Sequence, residues 1–263
     1  MPHTLHAPLF MLRLLIIFVA ALVAGAMNAV AGGGTMVVFP TLLFLGVPPI
    51  AANATCALGV WPSGIAGAIA YRDFHAAPRR LILALTAVSL LGGAWGAWLL
   101  LHTPPVFFGR LVPGLLVFAL LVFSFSGRRP RPVMGTPQRL LPMVAAVAAQ
   151  AGIAVYGGYF GAGMGVLMMA AFAATLAYQV HALNGLRSIC ATAINATAIG
   201  YFIVRHAILW RPGLVMVAGS ALGTWGCALL VRRLDPRPAR RVVLTVAWVM
   251  ILAYIAHAAL GRH

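Results

Sequence analysis

Long apolar runs alternate along the chain with short polar connections. They fall at about 9–31, 35–47, 51–71, 81–101 and 106–126 and, after the stretch GRRPRPVMGTPQR at 127–139, at about 140–160, 163–177, 182–204, 212–231 and 242–260. Most are close to the roughly 20 residues that a helix needs to cross the hydrocarbon core of a bilayer. The second run of each set is the exception. About 13 residues at ~1.5 Å each reach only ~20 Å, short of the ~30 Å core. The pattern predicts an all-α, polytopic integral membrane protein with about eight to ten membrane segments, two of them short or broken.

The two sets of runs resemble each other at a shift of 130 positions. Gly33 pairs with Gly163, Ala66 with Ala196 and Tyr71 with Tyr201, and Gly93-Ala94-Trp95-Gly96 pairs with Gly223-Thr224-Trp225-Gly226. With a slip of one residue, Asn53 matches Asn184, Pro105 matches Pro236 and Arg110 matches Arg241. Apolar sequence gives chance matches of Ala and Leu, but not readily of Tyr, Trp and a GxWG block. The expected organisation is a first transmembrane repeat at 9–126, an Arg- and Pro-rich cytoplasmic linker at 127–139 and a second repeat at 140–260. Duplicated units are a common construction of secondary transporters.

Charge then bears on orientation. Of 263 residues 63% are apolar and 8% charged, with 18 arginines, no lysine and only Asp73 and Asp235 as acids. So little polar surface cannot cover a soluble sphere, and the bilayer becomes a partner. The arginines sit between apolar runs, as in loops retained on the cytoplasmic side, not on one exposed face interleaved with aromatics as nucleic-acid binding requires. The richest clusters are at 72–80, 127–139 and 232–241. If all three are cytoplasmic, each half crosses an odd number of times, the halves are inverted copies and the short runs count as broken crossings. The alternative treats the short runs as re-entrant and leaves the halves in the same orientation. The arginines favour inversion. Arg- and Ala-rich, Lys-free usage points to a GC-rich bacterial genome, and hence to a bacterial inner membrane.

An Ala29-Val30-Ala31 ending gives the first run the look of a cleaved signal peptide. An equivalent run at about 141–162 cannot be one, so the first run is expected to belong to the fold. Cys56, Cys190 and Cys227 lie singly in apolar segments and read as small buried side chains. No metal-ligand spacing, paired carboxylates or nucleophile–base pair appears, so neither a cofactor nor an enzyme is expected. A homodimer is compatible with the sequence and not required by it.

The candidate chemistry sits at two glycine-rich joins, AVAGGGTMVVFP at 29–40 and GGYFGAGMGVLMM at 157–169. Three consecutive glycines such as Gly32, Gly33 and Gly34 cost a helix roughly 3 kcal/mol relative to alanine. Broken helices at membrane depth survive where protein or a watery cavity covers the freed backbone. The second half-helix then offers amide N–H groups and a positive dipole end, which bind anions. The competing reading is that these glycines only permit close helix packing. That reading is preferred for Gly92, Gly93, Gly96, Gly219, Gly223 and Gly226, which lie inside full-length runs.

Polar residues inside the runs are few: Asn28, Thr35, Asn53, Thr55 and Ser63, then Asn184, Arg187, Ser188, Thr192, Asn195 and Thr197. Asn184, Arg187 and Ser188 share a face of a predicted helix, with Arg187 expected just inside its start. Contact with an anion, snorkelling to the interface and structural pairing are the three uses open to an arginine there. His181, His206 and His257 read as loop or interfacial residues, and no run contains Asp or Glu.

The stretch AGGGTMVVFPTLLFLGVPPIAANATCALGVWPSGIAGAIAYRDF, with GGYFGAGMGVLMM and ALNGLRSICATAIN, resembles the TauE/SafE family of sulfite exporters and related permeases. The second half departs from the pattern in having Ala170 where Pro40 would repeat. The resemblance implies transport of small sulfur-containing or organic anions such as sulfite or sulfonates. The expected site comprises Gly32, Gly33, Gly34, Thr35, Asn53, Thr55, Gly161, Gly163, Gly165, Asn184 and Arg187, holding a small anionic solute in an alternating-access carrier. A small anion channel, or a membrane anchor for a sulfur-metabolism system, remains open as an alternative.

Overall fold

The computed structural model describes residues 6–30, 33–74, 77–125 and 140–231, together with 245, 248 and 249. The linker at 127–139, nearly all of the last run at 242–260 and Gly32 lie outside the described residues, as do the arginines of the 232–241 cluster.

All regular structure among the described residues is helical. The order is α1 (His6–Val30), α2 (Thr35–Phe44), α3 (Pro49–Ala70), a 3₁₀ turn (Arg72–Phe74), α4 (Arg79–His102), α5 (Pro105–Phe125), α6 (Leu140–Tyr159), α7 (Met164–Thr175), α8 (Val180–Val204) and α9 (Trp210–Val231). Helices α1, α4, α5, α6 and α8 are long and apolar enough to cross a membrane, whereas α2 and α7 are short apolar helices. The chain is a polytopic membrane protein. Prolines set several starts: α3 and α5 begin on Pro49 and Pro105, where a missing amide costs nothing, and Pro78 precedes α4.

Contacts along the helices fix their directions. Phe10 meets Arg211, Phe18 faces Gly219 and Leu22 faces Gly223, so α1 and α9 run parallel. Ser89 meets Gln150, Gly92 faces Ala154 and Gly96 faces Tyr159, so α4 and α6 are parallel as well. Thr55 meets Leu209 and Gly59 faces Met216, which aligns α3 with α9. By contrast Trp61 meets Thr192, Gly67 faces Ser188 and Tyr71 stacks on His181, so α3 and α8 are antiparallel. Helices α1, α3, α5 and α9 therefore run one way, and α4, α6 and α8 the other.

The short helices turn back. Asn28, near the end of α1, bonds Ser63 of α3, yet the chain must next reach Pro49, about 20 Å back along α3 at ~1.5 Å per residue. Gly157, near the end of α6, lies against Ile194, and Val180 is again about 20 Å back along α8. Each short helix thus returns from inside the molecule towards the side from which the helix before it entered.

Glycine makes the parallel pairs tight. A Cβ on Gly223 would collide with the Leu22 carbonyl, one on Gly25 with that of Ser220, one on Gly96 with that of Val155 and one on Gly158 with that of Gly93. Helix backbones meet directly there, as small residues allow in membranes, where close packing and not the hydrophobic effect joins helices. Gly92, Gly93 and Gly219 also abut neighbouring helices. At Gly226 nothing among the described residues lies within 4 Å of where a Cβ would be.

Candidate functional site

Both glycine joins break the helices. At the first, α1 stops at Val30 and α2 begins at Thr35, with Gly33 at φ 94°. At the second, α6 stops at Tyr159 and α7 begins at Met164, with Gly161 at φ 72° and Gly163 at φ 78°. These values lie in the left-handed region that glycine enters without steric cost. Gly163 is constrained twice, because a Cβ there would also press on Ala119 and on the Met36 methyl at 2.8 Å.

The two breaks face one cavity of about 50 Å³. Gly33 and Thr35 line it from the first break, Gly161, Gly163 and Gly165 from the second, Ser63 and Gly64 from α3, and Arg187, Ser188 and Asn195 from α8. A water needs ~10–15 Å³ of such space, so a few water-sized groups fit. The first turns of α2 and α7 open here with a partial positive charge at each end. The Met36, Val37, Met164 and Val166 amides bond the carbonyls of Gly33, Gly34, Gly161 and Gly163, and those of Thr35 and Gly165 have no backbone partner among the described residues.

Asn28 ties the first break together. Its Oδ1 accepts from the Gly34 amide at 2.8 Å, and its Nδ2 donates to Ser63 Oγ at 3.1 Å. Pro62 is inside α3 next to Ser63, and its lack of an amide loosens the helix at cavity depth.

Arg187 supplies the fixed charge. It lies two turns into α8, deeper than the helix start expected from sequence, because α8 begins at Val180. Only 8% of its surface is exposed, so it does not snorkel. Nη2 donates to the Asn28 carbonyl at 3.4 Å, and Nε is buried with no hydrogen-bond partner among the described residues. The ion pair among the described residues is Arg72–Asp73, at 3.6 Å and well exposed. No described carboxylate neutralises Arg187, which sits beside the positive ends of two helices.

A second, smaller cavity of about 10 Å³ adjoins the first. Thr35, Val60, Gly161, Met164 and Asn195 line both. Asn53 lines only the smaller one and donates to the Tyr159 carbonyl at 3.1 Å. Phe160 and Phe202 close it, backed by Phe39 and Phe108, all almost fully buried. Phe160 meets Phe39 edge-on at 5.3 Å and Phe108 at 6.3 Å.

Of the residues expected from sequence, Gly33, Thr35, Gly161, Gly163, Gly165 and Arg187 come together at the larger cavity. Gly34 instead packs against the Ala24 carbonyl. Thr55 is buried away from both cavities and accepts from the Leu209 amide at 3.1 Å. Asn184 is half-buried and lines neither. Asn28, Ser63, Ser188 and Asn195 are lining residues that the expected site omitted. The spacing of Arg187, Ala191 and Asn195, each a helical turn apart, carries that signal.

A helical membrane protein with two broken helices converging on a buried cation has the build of a solute-handling protein of the bilayer. The chain belongs to the sulfite exporter TauE/SafE family, whose model matches residues 17–254. It is 27% identical over 240 residues to a Haemophilus influenzae protein named "Probable membrane transporter protein", covering 90% of this chain and 92% of that one. It is 31% identical over 211 residues to "Probable membrane transporter protein ORF9" of a Sinorhizobium species, with 79% and 78% covered. It is 26% identical over 255 residues to Escherichia coli "Probable membrane transporter protein YfcA", with 92% and 90% covered. No solved structure matches. Family and relatives together support a membrane transporter.

Proposed function

We propose that the protein carries a small monovalent or divalent anion, of the sulfite or sulfonate kind, across a bacterial inner membrane by alternating access. The observation that carries this reading is Arg187, buried at 8% exposure in a cavity faced by two helix N-termini and lacking any described carboxylate partner. A lone buried charge costs several kcal/mol unless something pairs with it. An anionic solute supplies that pairing. The cavity's size, about 50 Å³, suits a solute of a few heavy atoms.

The halves are read as inverted copies of one unit. The short helices re-enter and are not the broken crossings expected, but α1 with α2, and α6 with α7, come back to the side they entered, so re-entrance does not force a common orientation. The parallel pair α1 and α9 has its counterpart in α6 and α4, and α3 meets α8 antiparallel, as an exchange of two copies requires. Helices α3, α5 and α9 end, and α4 and α6 begin, on one side, and in sequence each of the three Arg-rich stretches adjoins one of these ends. That side is assigned to the cytoplasm. Buried Phe39, Phe108, Phe160 and Phe202 beyond the smaller cavity favour a carrier over an open pore.

An inside-negative potential is worth ~2.3 kcal/mol per charge per 100 mV and drives a monoanion outwards without a coupling ion. With no Asp or Glu in any apolar run, this suits facilitated export. The test is counterflow of labelled sulfite in proteoliposomes, with Arg187→Ala as control. Saturable, Arg187-dependent exchange is expected. Non-saturating flux without exchange, or strict dependence on a proton gradient, would overturn the reading.

A further inference from the structure

Asn195 points its amide into the cavities and not into the fold. The residue is 5% exposed, lines both cavities, and its side chain has no hydrogen-bond partner among the described residues. Several polar groups around it are engaged. Asn28 bonds Gly34 and Ser63, Asn53 bonds the Tyr159 carbonyl, Ser63 bonds the Val60 carbonyl and Thr192 bonds the Ser188 carbonyl. An amide that faces a cavity with its hydrogen-bonding capacity unspent can take it up with a solute. Asn195 alone among the asparagines lines both cavities, two turns beyond Arg187 on the same face of α8.

The two cavities differ in charge. Arg187 lines the larger one only, and no charged side chain lines the smaller. The smaller one offers amide and hydroxyl groups instead: Asn53, Asn195 and Thr35. An anion leaving Arg187 along the line of the cavities loses its counter-charge before it reaches the aromatic closure at Phe160 and Phe202.

We propose that Asn195 is the hand-over residue of the transport path: its amide takes the oxygen atoms of an oxyanion leaving Arg187 and passes them to a second, uncharged subsite formed with Asn53 and Thr35. This rests on the anion-carrier reading above. It adds a way-station that recognises the cargo by hydrogen bonds alone, and so favours oxyanions over halides.

The experiment separates binding from movement. Asn195→Ala and Asn195→Leu are purified in detergent for sulfite binding by calorimetry and reconstituted for labelled sulfite exchange. Both are expected to keep Arg187-dependent sulfite binding, weakened less than about tenfold, and to lose exchange by about tenfold or more beyond that, the scale of one hydrogen bond to a charged group. Retained binding also reports a folded protein. One substitution widens the passage and the other fills it, so a shared loss reports the amide and not the bore. Undiminished exchange in either variant, or faster exchange in Asn195→Ala, overturns the proposal. Loss of binding in both, as in Arg187→Ala, also overturns it, by making Asn195 part of the first site. Failure of the parent protein to bind sulfite in an Arg187-dependent way would overturn the carrier reading itself, by a measurement in which Asn195 takes no part.

Discussion

The Arg187 guanidinium donates from Nη2 to the backbone carbonyl of Asn28 at 3.4 Å, joining α8 to the end of α1 just where that helix breaks. The same Asn28 caps the far side of the break through the Gly34 amide. The charge and the first half-helix are thus built on one residue, and a solute pairing with Arg187 also meets the first turn of α2.

Removing the charge separates binding from folding. Arg187→Leu should abolish sulfite-induced thermal stabilisation while leaving the melting temperature without solute equal or higher, since an unpaired buried charge is gone. Arg187→Lys keeps the charge but not the fork, and should weaken binding by about tenfold or more. A thermal-shift titration decides both; unchanged sulfite binding in Arg187→Leu would sink the anion site.

Alanine at the second break should be costly. Gly163→Ala meets a left-handed backbone and the Ala119 and Met36 contacts, so a loss of about 2–4 kcal/mol is expected from strain and overpacking together. Gly226→Ala, within α9 and clear of every described side chain, should be neutral or stabilise by up to ~1 kcal/mol. Denaturant or thermal unfolding in detergent measures the contrast, which vanishes if the break is not strained.

Helix pairs held by backbone contact should not tolerate side chains. Gly96→Val and Gly223→Val each drive a branched side chain into a neighbouring carbonyl, of Val155 and of Leu22. Each is expected to cost about 1–3 kcal/mol or more and to lower the yield of folded protein. Size-exclusion profiles and unfolding temperatures test this; parent-like behaviour would mean the helices are not so close.

Sidedness follows from the helix directions. Thr136→Cys lies in the Arg-rich linker and His206→Cys in the connection between α8 and α9. In a background with Cys227 replaced, an impermeant maleimide should label His206→Cys in intact spheroplasts and Thr136→Cys only after permeabilisation. Labelling of both from one side would contradict the proposed inverted arrangement.

Helix positions were legible in the sequence because the bilayer demands long apolar runs, and the observed bounds lie within a few residues of those runs. Both breaks were legible through clustered glycine at Gly33 and at Gly161 to Gly163, where the backbone turns left-handed. The lining was harder to read. Asn184 and Asn53 occupy matching sequence positions, yet one is half-buried away from the cavities and the other holds the Tyr159 carbonyl. Periodicity tells which residues share a face, but not which face meets a cavity, since that depends on how α3 and α8 cross. Asn28 and Asn195 were visible as polar residues in apolar runs. Asn28 depends in part on Ser63, 35 positions away, and Asn195 on having no described partner.

On the carrier reading, Arg187 without a solute is a buried cation with no described acid beside it, whereas the same centre paired with a monoanion is electrically neutral. Voltage would then act least on the laden protein and most on its empty return. Turnover would be paced by the membrane potential at the step when nothing is being carried.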